Sequence, residues 1–325
     1  MRRRTRKRLV RALRRPFEWI GIALGFAVLS FLPRRAMQAV CDFAAAVMYA
    51  FDRRGRELAL SNLRVVFGRD VPGADKIVRR SYRNMARAVG HAFWTCRHAA
   101  ARAAEAGVMC AEGRAFLAAN RPAVTVSAHL GCWEILSQLA FLEGHRMMSV
   151  AKDVGTGAMT SLLMKARRSI GQEIVPADGA FRPLMQGIRD GKSLGLLVDQ
   201  VVRPRDGGMW VRFFGRPVPV SAAPAFFAAK GRAPVAIAWS RPLRDGRYRC
   251  DVIRVYEPGA ARDIWGFTQA CIADLERVIR RHPSCWVLNY RYFRKTPTAD
   301  ELAQLEAREA KAGTVSRAGA ESGLV

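Results

Sequence analysis

The stretch PAVTVSAHLGCWE, residues 122–134, decides the fold. Its first half, Pro122 to His129, is short, apolar and rich in β-branched residues, the signature of a buried strand. Gly131 then supplies a turn, and from about Cys132 to Glu143 the apolar residues recur at helical spacing. A buried strand that turns at once into a helix is the repeating unit of a layered α/β domain.

The same alternation extends in both directions. Upstream, helical periodicity covers 57–66 and 74–97. Downstream, the pattern predicts a strand at Met147–Ala151, helices at 156–169 and 181–190, and a strand at Leu194–Val198. The segments VRFF (211–214), PVAIAW (234–239) and YRCDVIRVYE (248–257) read as strands, with helices at 221–230 and 264–281. In such a sheet, ligands gather beyond the carboxyl ends of the strands, so strand ends are where chemistry is sought. One motif is set aside. Gly187-Ile-Arg-Asp-Gly191-Lys192-Ser193 has three residues between its glycines where a phosphate-binding loop has four, and it lies between a helix and a strand in the inverse order. A glycine cap explains it.

His129 stands where the buried strand ends, and it is one of only five histidines. Glu134 follows five positions later. On one continuous helix that separation turns through about 500°, so the two side chains would not meet. They can pair only if His129 lies in the turn and Glu134 in the first turn of the helix. Glu134 could then accept from one ring nitrogen and leave the other as a general base. On residues alone a catalytic pair and a structural histidine both fit. A zinc site would need a second histidine or paired cysteines, and a serine hydrolase would need G-x-S-x-G; neither occurs here. Cys132 on an apolar helix reads as core. The seven cysteines form no CxxC pair, which fits a reducing compartment and indicates no disulfide framework or metal.

The 325 residues carry 54 Lys+Arg against 27 Asp+Glu, a net charge of +27, yet half are apolar. A folded body with an anionic partner follows, which leaves nucleic acid, anionic lipid and acidic protein open. Nine of the basic residues lie in residues 1–16, with no acid among them. Behind them 17–32 is apolar except Glu18 and Ser30, and Ala36–Phe51 is a second apolar stretch; Pro33-Arg34-Arg35 and Arg53-Arg54 close the two. Sixteen helical residues span about 24 Å, short of the ~30 Å hydrocarbon core. The expectation is a short helix or shallow hairpin in the plane of an anionic leaflet, with 17–32 deepest; a buried core helix is the competing reading of 36–51. The domains are therefore read as a basic segment at 1–16, a membrane-associated helix or hairpin at 17–51, a catalytic body at 52–295 and a disordered tail at 296–325.

His129-Leu-Gly-Cys-Trp-Glu134 resembles the H-x4-D/E motif of the glycerolipid acyltransferase superfamily, and within it the late lipid A acyltransferases. Further blocks match in order: Asn62-Leu63 before Phe67, Asp199-Gln200, Phe213-Phe214-Gly215 with Pro217, Ala233-Pro234-Val235, and His282-Pro283 to Trp286 with Tyr290-Arg291-Tyr292-Phe293. Leu130 and Cys132 replace the usual Phe and Asn, Tyr290 and Tyr292 stand where His and Arg are common, and the E-G-T-R block of glycerol-phosphate acyltransferases is missing. The resemblance implies an α/β fold with a mixed sheet flanked by helices. It implies direct acyl transfer from acyl carrier protein to a hydroxyl of a phosphorylated lipid A precursor, at the cytoplasmic face of a bacterial inner membrane, with no cofactor, metal or nucleic acid. It assigns His129 as base and Glu134 as its orienter, with Arg168, Asp199, Gln200, Gly131, Trp133, Phe214, Gly215 and Arg291 at the substrate. A phosphatidylinositol mannoside acceptor, or a non-enzymatic basic protein tethered to membrane, are the alternative readings.

Overall fold

The computed structural model describes residue 25, residues 28–151 and residues 157–321. The basic segment 1–16 and most of the apolar stretch 17–32 lie outside the described residues. After a helical stretch at 28–31 come α1 (Arg34–Phe51), α2 (Arg53–Phe67) and α3 (Ala74–Thr95). Asp52 separates the first two and caps α2, its carboxylate accepting from the Gly55 amide.

The α/β body follows: α4 (Ala99–Ala106), β1 (Gly107–Met109), α5 (Ala111–Ala119), β2 (Val124–Ser127), α6 (Trp133–Leu142), β3 (Met147–Ala151), α7 (Gly157–Ser169), β4 (Glu173–Pro176), α8 (Phe181–Arg189) and β5 (Ser193–Leu197). A hairpin of β6 (Gly208–Phe213) and β7 (Arg216–Ser221) intervenes, and α9 (Ala223–Gly231), β8 (Val235–Pro242), β9 (Tyr248–Tyr256), α10 (Ile264–Arg281) and α11 (Ala299–Glu321) complete the chain. Seven strands form one sheet in the order β1-β9-β8-β2-β5-β3-β4. From β8 to β4 neighbours are parallel; β9 returns antiparallel to β8, with β1 parallel to β9. The sheet is mixed, as expected.

Helices cover both faces. Val124, Val126, Leu194 and Ile237 point into one apolar layer, and Ala236, Ala238 and Cys250 into the other, with α6 and its Ile135 and Leu139. Strands buried on both sides carry continuous apolar runs, which is why β2, β5 and β8 are visible in the sequence. At Gly191, φ is 74°, a left-handed turn between α8 and β5, so the glycines near Lys192 punctuate a helix-to-strand connection.

Among the described residues, no helix is long and apolar enough to cross a membrane, and the expected helix was itself too short to span one; α1 lays one face on α3 through Met37, Cys41 and Ala45. One expectation is corrected: the segment from 296, read as a disordered tail, contains α11 instead. Leu305 is 1% exposed against Trp210 and Trp265, and Arg212 donates to both carboxylate oxygens of Glu309 at 2.9 and 3.1 Å. Leu302 and Leu305 among alanines and charged residues are too weak a periodic signal to announce docking.

Candidate active site

The parallel pairing of β2 with β5 brings the key residues together. Ser127 is in register with Leu197. His129 and Asp199 each lie two residues past that pair, so they leave the sheet at the same edge. The His129 Nδ1 and Asp199 Oδ1 are 2.8 Å apart, and the His129 backbone amide donates to Oδ2 at 3.1 Å. Trp286 Nε1 donates to the same Oδ2 at 2.9 Å, with the Tyr292 hydroxyl at 3.4 Å. Asp199 is fully buried. Burial pushes its pKa up, but the His129 ring and the hydrogen bonds from His129 and Trp286 outweigh this and hold it below the ordinary aspartate value. An ionised carboxylate only accepts, so Nδ1 carries the ring proton and Nε2 offers a lone pair. The Gln200 amide nitrogen faces that lone pair at 3.3 Å.

The backbone around His129 is clamped. Its carbonyl accepts from Val287 at 3.1 Å, and the Gly131 amide donates to Cys285 at 2.8 Å. Gly131 has φ 66°, and a Cβ there would lie 1.8 Å from the Ser240 carbonyl oxygen. Glycine is therefore required by conformation and by space. The turn delivers Trp133 with its ring 5.1 Å from the imidazole, edge to face.

Glu134 occupies the first turn of α6, as the turn-then-helix reading requires, but its expected contact with His129 is replaced. Both its oxygens accept from Arg167, at 2.6 and 3.0 Å, and Trp133 Nε1 donates to Oε1 at 3.1 Å. Burial would raise its pKa; the Arg167 charge overcomes this and leaves it lowered. The carboxylate orienting the histidine is Asp199, seventy positions away in sequence, because strand adjacency outranks local spacing. The arginine that meets Glu134 is Arg167, while Arg168 is exposed beside it on the last turn of α7.

Phe214 and Gly215 form the two-residue loop of the β6–β7 hairpin, with φ 51° and 73°. Phe214 is a bulky residue in a left-handed conformation, held by its amide on Glu276 at 2.6 Å and by Arg280 stacked 5.1 Å over its ring. Phe214 and Phe213 pack against Trp286, which itself stacks on Tyr292 at 4.1 Å. The hairpin therefore backs the residues that hold Asp199, and the substrate contact expected of Phe214 gives way to packing because it is buried. Arg291 is exposed beside Tyr292. The Asn62 amide donates to the Leu288 and Tyr290 carbonyls at 2.7 and 2.8 Å, so α2 ties down the closing segment. Trp286 entered the sequence reading only as part of the closing block, with no role given to it, and Arg167 was given none either.

Fold and site together define a class: layered α/β proteins whose strand edge presents a histidine oriented by a buried carboxylate. Within it, the chain belongs to the bacterial lipid A biosynthesis acyltransferase family, whose sequence model matches residues 3–295. It is an acyl-transferring enzyme. No curated protein matches the chain at a significant level.

Proposed function

We propose that the protein moves a fatty acyl chain from the thioester of acyl carrier protein to a hydroxyl of a lipid A precursor, at the cytoplasmic face of a bacterial inner membrane. The observation that carries the reading is the His129–Asp199 pair, which fixes the ring proton on Nδ1 and turns the Nε2 lone pair toward Gln200. An acceptor hydroxyl takes the place of the Gln200 amide and gives its proton to Nε2 as its oxygen attacks the thioester carbonyl. Asp199 stabilises the imidazolium that forms. The tetrahedral intermediate collapses, the C–S bond breaks, and the imidazolium returns the proton to the leaving thiolate. A positioned base of this kind contributes about 10²- to 10⁴-fold.

Glu134 has a different role here from the one expected. It anchors Arg167 near the imidazole through Trp133, so a fixed cation flanks the site; a guanidinium suits a lipid phosphate or a developing oxyanion. Exposed Arg168 and Arg291 are suited to the phosphates of the acceptor, and the net charge of +27 to an acidic carrier.

The test supplies purified enzyme with acyl carrier thioester and a lipid A precursor that has free hydroxyacyl chains. The expected product is heavier by one acyl group, and His129→Ala lowers its formation by at least about 10²-fold without unfolding the protein. Full activity in that variant overturns the base assignment, and no acylated lipid from wild-type enzyme overturns the substrate assignment.

A further inference from the structure

The outer face of α1 is unlike a surface that faces water. Between positions 39 and 51 every exposed residue is Ala, Val, Phe or Met. Val40, Phe43, Val47 and Phe51 follow one another at helical spacing in a single stripe, with Phe43 72% and Phe51 85% exposed. The partly exposed polar residue nearby, Asp42, is taken up by Arg87, which donates to both its oxygens at 2.5 and 2.6 Å. Cations stand at both ends: exposed Arg35 at the start, exposed Arg53 and Arg54 just past the finish. Upstream, Phe31 is 67% exposed.

The position of this face matters as much as its composition. β8 runs parallel to β2, so the turn 243–247 that leaves β8 lies at the same sheet edge as His129. The first turns of α1 are fastened to that turn: Arg34 donates to the Asp245 carbonyl at 3.1 Å, and Gln38 to the Gly246 carbonyl at 2.6 Å. The apolar stripe and the reactive imidazole therefore belong to one end of the molecule.

We infer that the outer face of α1 is an in-plane docking surface for an anionic bilayer, seated at the boundary of headgroups and acyl chains with its terminal arginines at lipid phosphates. An 18-residue helix is about 27 Å long, and an apolar face bounded by cations is what such interfacial helices present. The occupant is argued from charge: a protein of net +27 places its exposed apolar stripe between arginine pairs. The contact lies on a segment other than 17–32, the stretch expected to sit deepest. It holds the strand edge with His129 against the leaflet, so an acceptor lipid reaches the base without leaving the membrane. That last consequence rests on the acyl-transfer reading; the docking surface does not.

The test uses the full-length chain with a bimane label at Phe43→Cys in a Cys96→Ser background, on vesicles of phosphatidylglycerol and phosphatidylethanolamine carrying spin-labelled acyl chains. A second label goes at Lys230→Cys, exposed in the last turn of α9, just ahead of β8 and so at the opposite edge. The expected result is strong quenching at position 43, little at position 230, and loss of quenching when anionic lipid is replaced by phosphatidylcholine. The Phe43→Glu/Phe51→Glu variant should acylate acceptor embedded in vesicles about tenfold more slowly, while its rate in detergent micelles stays within about twofold. Vesicle-bound protein with an unquenched label at 43 overturns the inference, as does burial of that label by self-association without vesicles. Absence of acyl transfer in micelles by wild-type enzyme would sink the functional reading while leaving the depth measurement to decide the surface.

Discussion

At the scale of single residues, Asp199 makes the sharpest forecast. Its Oδ2 receives the His129 amide and Trp286 Nε1, while Oδ1 receives the His129 ring. In Asp199→Asn the single amide oxygen is drawn to the two donors at Oδ2, which turns the NH2 toward Nδ1. The ring proton must then move to Nε2, and the base loses its lone pair. The expected loss in turnover is about 10²-fold or more, with near-native folding by circular dichroism. Retention of wild-type turnover would show that the pair does not set the tautomer. Glu134 behaves differently. Replacing it with Gln leaves the Arg167 charge without its counter-ion in a mostly buried place, and about 3 kcal/mol of stability should go with it, read from the denaturant midpoint. A Glu134→Leu/Arg167→Met double variant should recover much of that stability but not the activity, if the cation serves the substrate.

At the scale of elements, α11 is a strap over the hairpin that supports Trp286. It lies beyond residue 295, where the family match ends. Leu305 fills the gap between Trp210 and Trp265, so Leu305→Ala should cost about 2–3 kcal/mol, whereas Glu309→Gln, on a partly exposed pair with Arg212, should cost under about 1 kcal/mol. Thermal or denaturant unfolding of the two variants checks the order; equal effects would mean the helix is held by charge. The same element shows what the sequence conceals. Strands β2, β5 and β8 are legible because both faces are buried and their apolar runs are unbroken. β1 is three residues long, β4 is the edge strand Glu173–Pro176, and β7 carries prolines at 217 and 219, so none offers a period to read. His129 was legible as a strand-end histidine, but its carboxylate partner depended on β5 lying beside β2 with β3 and β4 inserted between them in the chain, which no local spacing encodes.

At the scale of the molecule, the excess of positive charge makes acid a hazard, and one buried group sets where stability begins to fall. His91 is enclosed by α3 and α6, its Nε2 on the Gln138 amide oxygen at 2.8 Å, with Glu134 as the nearby charged group and Trp94 and Tyr248 rings about it. Burial pushes its pKa down from 6.5 to about 4, with Gln138 and Glu134 offsetting only part of this. Between those values the unfolded chain binds a proton at this position and the folded one does not, so stability falls as the pH drops from 6.5 toward 4. The contribution lost between about pH 7.5 and pH 5 is about 2 kcal/mol, since one pKa unit is worth about 1.4 kcal/mol. Asp199 and Glu134, whose pKa values are lowered, act further into acid: the stability they contribute is present above the ordinary carboxylate values and is lost below them. Urea midpoints for wild type and His91→Gln at the two pH values separate the effects, because the carboxylates cancel in the comparison. The wild type should lose about 2 kcal/mol more than the variant; equal losses would mean that His91 takes up its proton in the folded protein, and that α3 and α6 part there more readily than their packing implies.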